Sequence, residues 1–267
     1  MAIDPSALIA PTARIHPDAV IGARTRVGEF CVIEQDVTIG EDCLLEPYVF
    51  VKRWTTLGDR NEISAGTVLG TDPLDKNFTG DRSYLRIGHG NKIREHYTVS
   101  RGTKPETATT IGDGNYIMTS GHIAHNCVIG NNVVVASCAL VAGYVEIEDQ
   151  AFISGSLGIH QFSRIGRLAM VGGMTRVNMD VPPFFMYEGA AKMKPKGLNL
   201  VGLRRAGFVS QQIDLLKKAY KVLYRSGLLL EEALAKIEAE LPDENTLHLV
   251  RFIRASTQGN RRGICRE

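Results

Sequence analysis

Histidine is scarce in this chain of 267 residues, seven in all, yet two of them share the segment Gly121-His122-Ile123-Ala124-His125-Asn126-Cys127. A third, His160, sits in Ile159-His160-Gln161-Phe162. A neutral imidazole, with a reference pKa of about 6.5, suits general-base work on a hydroxyl at neutral pH. Gly143 follows His125 by 18 residues and Gln161 follows Gly143 by the same interval. If that interval is one turn of a coil, an imidazole, a glycine backbone and an amide lie along one ridge. Lacking a side chain, Gly143 lets a backbone N–H approach an oxyanion. The set suits acyl transfer from a thioester to a hydroxyl, and the absence of a Ser or Cys nucleophile beside a histidine favours direct transfer over an acyl-enzyme.

The coil itself is written in the sequence. Every sixth residue from Ile3 to Val177 is Ile, Leu or Val at 27 of 30 positions, the misses being Asp75, Asp81 and Pro105. A period of six is neither helical nor a strand alternation; it is the repeat of a solenoid. Two residues before each aliphatic position the side chain is usually small, as at Ala13, Ala19, Cys31, Cys43, Cys127, Ala139 and Ala151. Each hexapeptide therefore supplies one short strand and one corner, and three make a turn of about 18 residues. The misses fall within 70–86 and 100–110, which read as loops extruded from an intact coil and as the first places to look for ligand contacts.

Past Pro182-Pro183 the period of six ends, and from Gly207 the pattern is helical. Ser210 is placed to cap a helix with Ile213, Leu216, Ala219, Tyr220 and Leu223 on one face and Gly227 at its end. Leu230–Leu241 and Asn245–Ser256 read as two more. The expected organisation is mainly β, a parallel β-helix over 1–190, followed by a C-terminal α-helical domain over 191–267 that covers the last coil's open strand edges.

At 44% hydrophobic content the chain can bury a large core. It has no run of about 18 apolar residues and no charged-then-apolar leader, so a cytoplasmic protein without stable membrane insertion is expected. Five cysteines without a CxxC pair read as reduced packing residues. Net charge is only +2, but 188–227 carries nine basic residues against Glu188 and Asp214. That stretch reads either as a solvated face or as a docking patch for an acidic partner or phosphates. Without interleaved aromatics it does not read as a nucleic-acid surface.

Gly121-His122-Ile123-Ala124-His125-Asn126-Cys127, Ile159-His160-Gln161-Phe162, Met170-Val171-Gly172-Gly173, Asp180-Val181-Pro182-Pro183, Gly202-Leu203-Arg204-Arg205-Ala206-Gly207-Phe208 and Ala219-Tyr220-Lys221-Val222-Leu223-Tyr224-Arg225-Ser226-Gly227 together resemble the UDP-N-acetylglucosamine O-acyltransferases that begin lipid A synthesis, a branch of the hexapeptide-repeat acyltransferases. The likeness runs nearly end to end. It implies a left-handed coil, an exception to the right-handed crossover rule. It also implies a homotrimer with sites between neighbouring coils, and transfer of a 3-hydroxyacyl chain from acyl carrier protein to the sugar 3-hydroxyl of a UDP-sugar. On matching positions it makes His125 the general base and Gly143 the oxyanion donor. His122, His160 and Gln161 would position the sugar or the thioester arm. Asp75, with Lys76 and Asn77 beside it, and Tyr144, Asn199, Arg204 and Arg205 fall at substrate-binding positions. Gly155, Met170 and Gly173 fall at the acyl-chain groove. The acyl donor arrives on phosphopantetheine, and no metal or other cofactor is implied. A separate reading takes the same histidines as zinc ligands between subunits, as in the γ-class carbonic anhydrases; the chain length and histidine spacing speak against it.

Four departures surround the sugar site. Asn126 stands where family members commonly carry Asp, Tyr144 where they carry His, Ala190-Ala191 in place of Asn-His, and Val201 in place of Glu. An Asn hydrogen-bonds an imidazole without stabilising its cation by charge, so a weaker base is expected. The acceptor sugar, for example a 3-amino analogue, is therefore more open than the reaction.

Overall fold

A computed structural model describes residues 3–259 and 261–266. The hexapeptides form a left-handed parallel β-helix, a three-sided prism whose strands are mostly two residues long. The first face has eleven strands, running from Leu8–Ile9 to Lys194–Leu198. The second has nine, from Arg14–Ile15 to Arg176–Val177, and the third has eight, from Val20–Ile21 to Arg164–Ile165. Like aliphatics stack up the axis: Ile117 over Ile93 on one side of the core and Ile123 over Val99 on another. These side chains are essentially fully buried and form one continuous core. Burying such a column removes apolar area from water turn after turn, at roughly 25 cal/mol per Å².

From Arg24 on, most turn corners place the residue three after the aliphatic position in left-handed backbone. Among the described residues twenty non-glycine residues have positive φ, including Arg24, Asp42, Tyr48, Trp54, Asn126, Tyr144 and Phe162, all between 54° and 70°. The small column before each aliphatic side chain turns inward, as the complete burial of Ala19, Cys31, Val37, Val133 and Ala139 shows. Four of the five cysteines are buried and Cys138 is exposed.

The two interruptions are narrower than 70–86 and 100–110. Val68–Thr71 and Tyr84–Ile87 are strands, as are Thr98–Ser100 and Ala108–Ile111, so the extruded loops are 72–83 and 101–107. Buried Leu85 and Thr109, paired across the third face, hold those flanks in the sheet. Both loops leave the same corner, between the second and third faces. They stretch the coil there: Leu69 stacks on Val99 and Val99 on Ile123 before the regular spacing resumes with Ile123 on Val141.

The C-terminal part departs from expectation at its start. Phe185–Glu188 continues the first face parallel to Met170–Val171, and Lys194–Leu198 returns antiparallel to it. Helix α1, Leu200–Arg205, follows directly, ahead of the expected onset at Gly207. Helix α2, Ser210–Arg225, begins with Ser210 inside it; Val209 is the cap, and its N–H donates to Gln212 Oε1 at 3.0 Å instead of a serine hydroxyl closing the turn. Gly227, at φ +75, follows the last turn as expected. Helix α3 is Leu230–Glu240, and helix α4, Glu244–Ala255, is capped by Asp243, which accepts from Asn245 N at 2.9 Å. Helix α4 is tied to the third face by His248 Nε2 to Glu148 at 2.8 Å and by the Arg164 guanidinium 4.2 Å from the Phe252 ring, and the segment after it by Arg261 to Glu146 at 2.9 Å. Among the described residues no helix is long and apolar enough to cross a membrane.

Candidate active site

The ridge expected from spacing is present on the corner that extrudes the loops. His125 follows the His122–Ile123 strand of the second face and precedes Val128–Ile129 of the third. The residue is only 6% exposed. A Cβ built on Gly143 would sit 2.4 Å from His125 Cε1 and 2.7 Å from Nε2, so any other residue would collide with the imidazole. The glycine is thus required by the ring beneath it. The Gly143 N–H has no backbone acceptor among the described residues, whereas the next amide, Tyr144 N–H, donates to His125 O at 3.0 Å. One turn further on, Phe162 N–H donates to Gly143 O at 3.1 Å and places Gln161 on the same ridge.

Around the ring, His125 Nδ1 lies 3.2 Å from Asn126 Oδ1. Tyr144 meets the imidazole edge-on with centroids 5.3 Å apart, and Phe162 stacks on Tyr144 at 5.1 Å. His122 points outward from its strand, with Nδ1 2.7 Å from Thr98 Oγ1. Burial, with the charge of a protonated His125 nearby, holds the His122 pKa below the usual histidine range. It is therefore neutral at pH 7. Its Nε2 is buried without a hydrogen-bond partner among the described residues, so the ring offers one unused polar atom beside the base. His160 is exposed and leans back on its own corner, Nδ1 3.0 Å from Gln161 O. Cys127 points into the core, where its thiol donates to Ala142 O at 3.1 Å, and burial pushes its pKa up to about 12. It stays a thiol and is no nucleophile.

The extruded loops meet at this corner. Loop 101–107 reaches the ridge through Thr103, whose N–H and hydroxyl both donate to Asn126 Oδ1 at 2.9 Å. Loop 72–83 is fastened to loop 101–107 by Arg101, a residue 1% exposed whose guanidinium lies between the Trp54 and Phe78 rings and 2.9 Å from Asp72. Within that loop, Asp75 Oδ1 accepts from Asn77 N at 2.9 Å, closing a turn that leaves Lys76 and Asn77 exposed.

A second group lies elsewhere on the prism. Between the first face and α1 is a cavity of about 650 Å³ lined by Val134, Phe152, Met170, Met186, Asn199 and Arg205, among others. Asn199 is committed to structure there: its Oδ1 caps α1 through Gly202 N at 3.0 Å and its Nδ2 donates to Leu168 O at 2.9 Å. Arg204 is exposed and does not line the cavity. Gly155 and Gly173 stack at the corner between the first and second faces. A Cβ on Gly173 would meet nothing closer than 3.5 Å, so the coil itself does not require that glycine. One chain thus brings His122, His125, Gly143, Tyr144 and Gln161 together, and sets Met170, Asn199 and Arg205 apart from them. Thr103 escaped the sequence reading because its position in the chain puts it in a loop; only counting faces, which puts both loops on the histidine corner, could have pointed to it.

A family model described as UDP-N-acetylglucosamine O-acyltransferase, domain 2, matches residues 180–265. The acyl-(acyl-carrier-protein)–UDP-N-acetylglucosamine O-acyltransferase of Gloeothece citriformis is 44% identical over 209 residues, 78% of this chain and 75% of its own. Among solved structures, the UDP-N-acetylglucosamine acyltransferase of Bacteroides fragilis superposes with a TM-score of 0.91 at 37% identity, covering 94% of this chain and 99% of that one. The Arabidopsis enzyme does so with 0.87 at 36%, covering 97% and 100%. With two thirds or more of such relatives matched at these identities, the chain belongs to the UDP-N-acetylglucosamine O-acyltransferase family.

Proposed function

We propose that this protein transfers a 3-hydroxyacyl chain from acyl carrier protein to the 3-position of UDP-N-acetylglucosamine, the first step of lipid A synthesis. The observation that carries the reading is the imidazole of His125 packed under Gly143, with a base and an unused backbone donor on one ridge. His125 Nε2 takes the proton of the sugar 3-hydroxyl as its oxygen attacks the thioester carbonyl. The Gly143 N–H donates to the oxyanion that forms, a kind of contact worth about 10²–10³ in rate where one such donor has been removed. Collapse expels the phosphopantetheine thiolate, to which the imidazolium returns the proton. Neutral His122, with Gln161 and His160 two coils further along the axis, holds the sugar or the pantetheine arm, and Asp75 orients the sugar from the loop.

The working unit is a homotrimer in this reading. The ridge and the α1 cavity lie on different faces of one prism, so a neighbouring copy must supply Asn199, Arg204 and Arg205 for the nucleotide, and Met170 with Gly155 and Gly173 for the acyl chain. The exposed Lys217, Lys218, Lys221 and Arg225 of α2 suit the acidic carrier protein, and the site of action is the cytoplasm. No metal or other cofactor enters these steps. The departures at Tyr144, Ala190-Ala191 and Val201 put the acceptor to test directly. Purified protein is given 3-hydroxyacyl carrier protein with either UDP-N-acetylglucosamine or its 3-amino analogue, and the products are read by mass spectrometry. An ester on UDP-N-acetylglucosamine at normal efficiency is expected; an amide formed on the amine alone would reassign the acceptor.

A further inference from the structure

The contacts of Asn126 fix more than its own position. Thr103 N–H can only donate, and it lies 2.9 Å from the Asn126 side-chain atom that also faces His125. That atom is therefore the carbonyl oxygen, and not the amide nitrogen. Facing an oxygen, His125 Nδ1 must carry the proton, which leaves Nε2 as the lone pair. The Thr103 hydroxyl spends its one hydrogen on the same oxygen, so at 3.0 Å the Tyr144 hydroxyl must donate to Thr103 Oγ1. The chain runs Tyr144 to Thr103 to Asn126, with His125 donating into it from the other side.

Resting on the acyl-transfer reading, we propose that Thr103 and Tyr144 are positioning residues of this enzyme: through Asn126 they hold His125 as its Nδ1–H tautomer with Nε2 free for the acceptor hydroxyl. Three features support this. Thr103 is only 9% exposed, so its bonds are not traded for water. Tyr144 is gripped from both sides, by the imidazole edge and by the Phe162 ring, which aims its hydroxyl at Thr103. And Thr103 rides on loop 101–107, itself stitched to its neighbour loop by Ser83 Oγ to Gly102 O at 2.5 Å, Gly102 N to Tyr84 O at 3.1 Å and the Arg101–Asp72 pair. The tautomer is thus set by neutral groups delivered by an extruded loop. The inference also separates Tyr144 from the sugar: its hydroxyl is occupied inside the protein.

The test reads the imidazole directly. In full-length protein labelled with ¹⁵N-histidine, long-range ¹H–¹⁵N correlation should show His125, assigned by its loss in His125→Gln, protonated at Nδ1. In Thr103→Val the Nε2–H form should become detectable. Turnover should fall about tenfold in Thr103→Val and about threefold in Tyr144→Phe, with KM for the UDP-sugar within twofold of normal, and Thr103→Ser should restore most of the loss. His125 protonated at Nε2 in the unaltered protein would overturn the inference. So would Tyr144→Phe raising the sugar KM with kcat unchanged, which would make Tyr144 a substrate contact. The spectrum needs no substrate and answers for the tautomer even if the acyl-transfer reading fails; activity surviving in His125→Ala would be that separate failure.

Discussion

Two corners of the same prism use polar side chains in opposite ways. Between the third and first faces, Asn61, Asn91 and Asn115 point inward and form a ladder: Asn91 Nδ2 donates to Asn61 Oδ1 at 3.0 Å, Asn115 Nδ2 to Asn91 Oδ1 at 2.9 Å, and Val133 N to Asn115 Oδ1 at 2.7 Å. Asn61 closes the foot by donating to Gly58 O and Gly88 O. All three are at most 1% exposed, and every carbonyl in the ladder accepts. Between the second and third faces, His125 is nearly as buried but turns outward, with Nδ1 satisfied and Nε2 left against a glycine. The backbone is the same at both corners. What separates structure from chemistry is where the polar residue stands, two before the aliphatic position and inward for the asparagines, two after it and outward for His125, and whether the last polar atom is left open.

The comparison breaks first at the histidine. His125→Ala should lower kcat by at least about 10²-fold with an unchanged circular dichroism spectrum and melting temperature; near-full turnover would put His125 on the structural side. Gly143→Ala comes next, since its methyl would press on the imidazole ring. A kcat loss of about 10²-fold is expected, with a fall of only a few degrees in Tm by calorimetry, because the ring can give way and the coil need not. The ladder should respond in the reverse sense. Asn91→Ala strands its neighbours' polar groups and should cost about 1–3 kcal/mol in urea unfolding, while kcat per folded molecule stays put; a loss of turnover without a loss of stability would erase the distinction between the two corners. Gly173→Met sharpens it at the third corner. Its side chain has room in the coil, so stability should hold while activity on long acyl chains falls about tenfold relative to short ones. The smallest effect is expected at the rim, where Lys217→Glu with Lys221→Glu should raise KM for the acyl carrier protein a few fold at low salt and hardly at all near 0.5 M, as screening dictates.

Much of this was legible in the residues. The aliphatic column fixes the coil, and arithmetic on it places Gly143 over His125 without coordinates. Counting carries further than the order of residues suggests: because Leu69 and Ile87 bound one loop and Val99 and Ile111 the other, both loops fall on the histidine corner. Other features leave no trace. The left-handed corner column holds Arg24, Phe30, Asp42 and Trp54, with no shared type, because an outward side chain at such a turn answers to nothing but its own backbone strain. The hairpin of Phe185–Glu188 and Lys194–Leu198 hides behind Pro195 and Gly197, poor strand formers that an outermost strand tolerates. The bond of Thr103 to Asn126 is set by how a loop folds back, which no period encodes.

In such a stack each coil touches only the coils above and below it, so stability is passed along the axis, not pooled. The axis has unequal ends. At one, Ile9 and Ile15 of the core column are only partly covered, whereas the column is buried from Ile21 on; at the other, Phe184 and Phe185 are sealed under the helices. Opening should therefore travel inward from the first coils, and the ridge at His125 lies many turns from where it begins. The early coils, which carry none of the chemistry, act as a fuse of expendable length: thermal fraying is consumed there before it can reach the base.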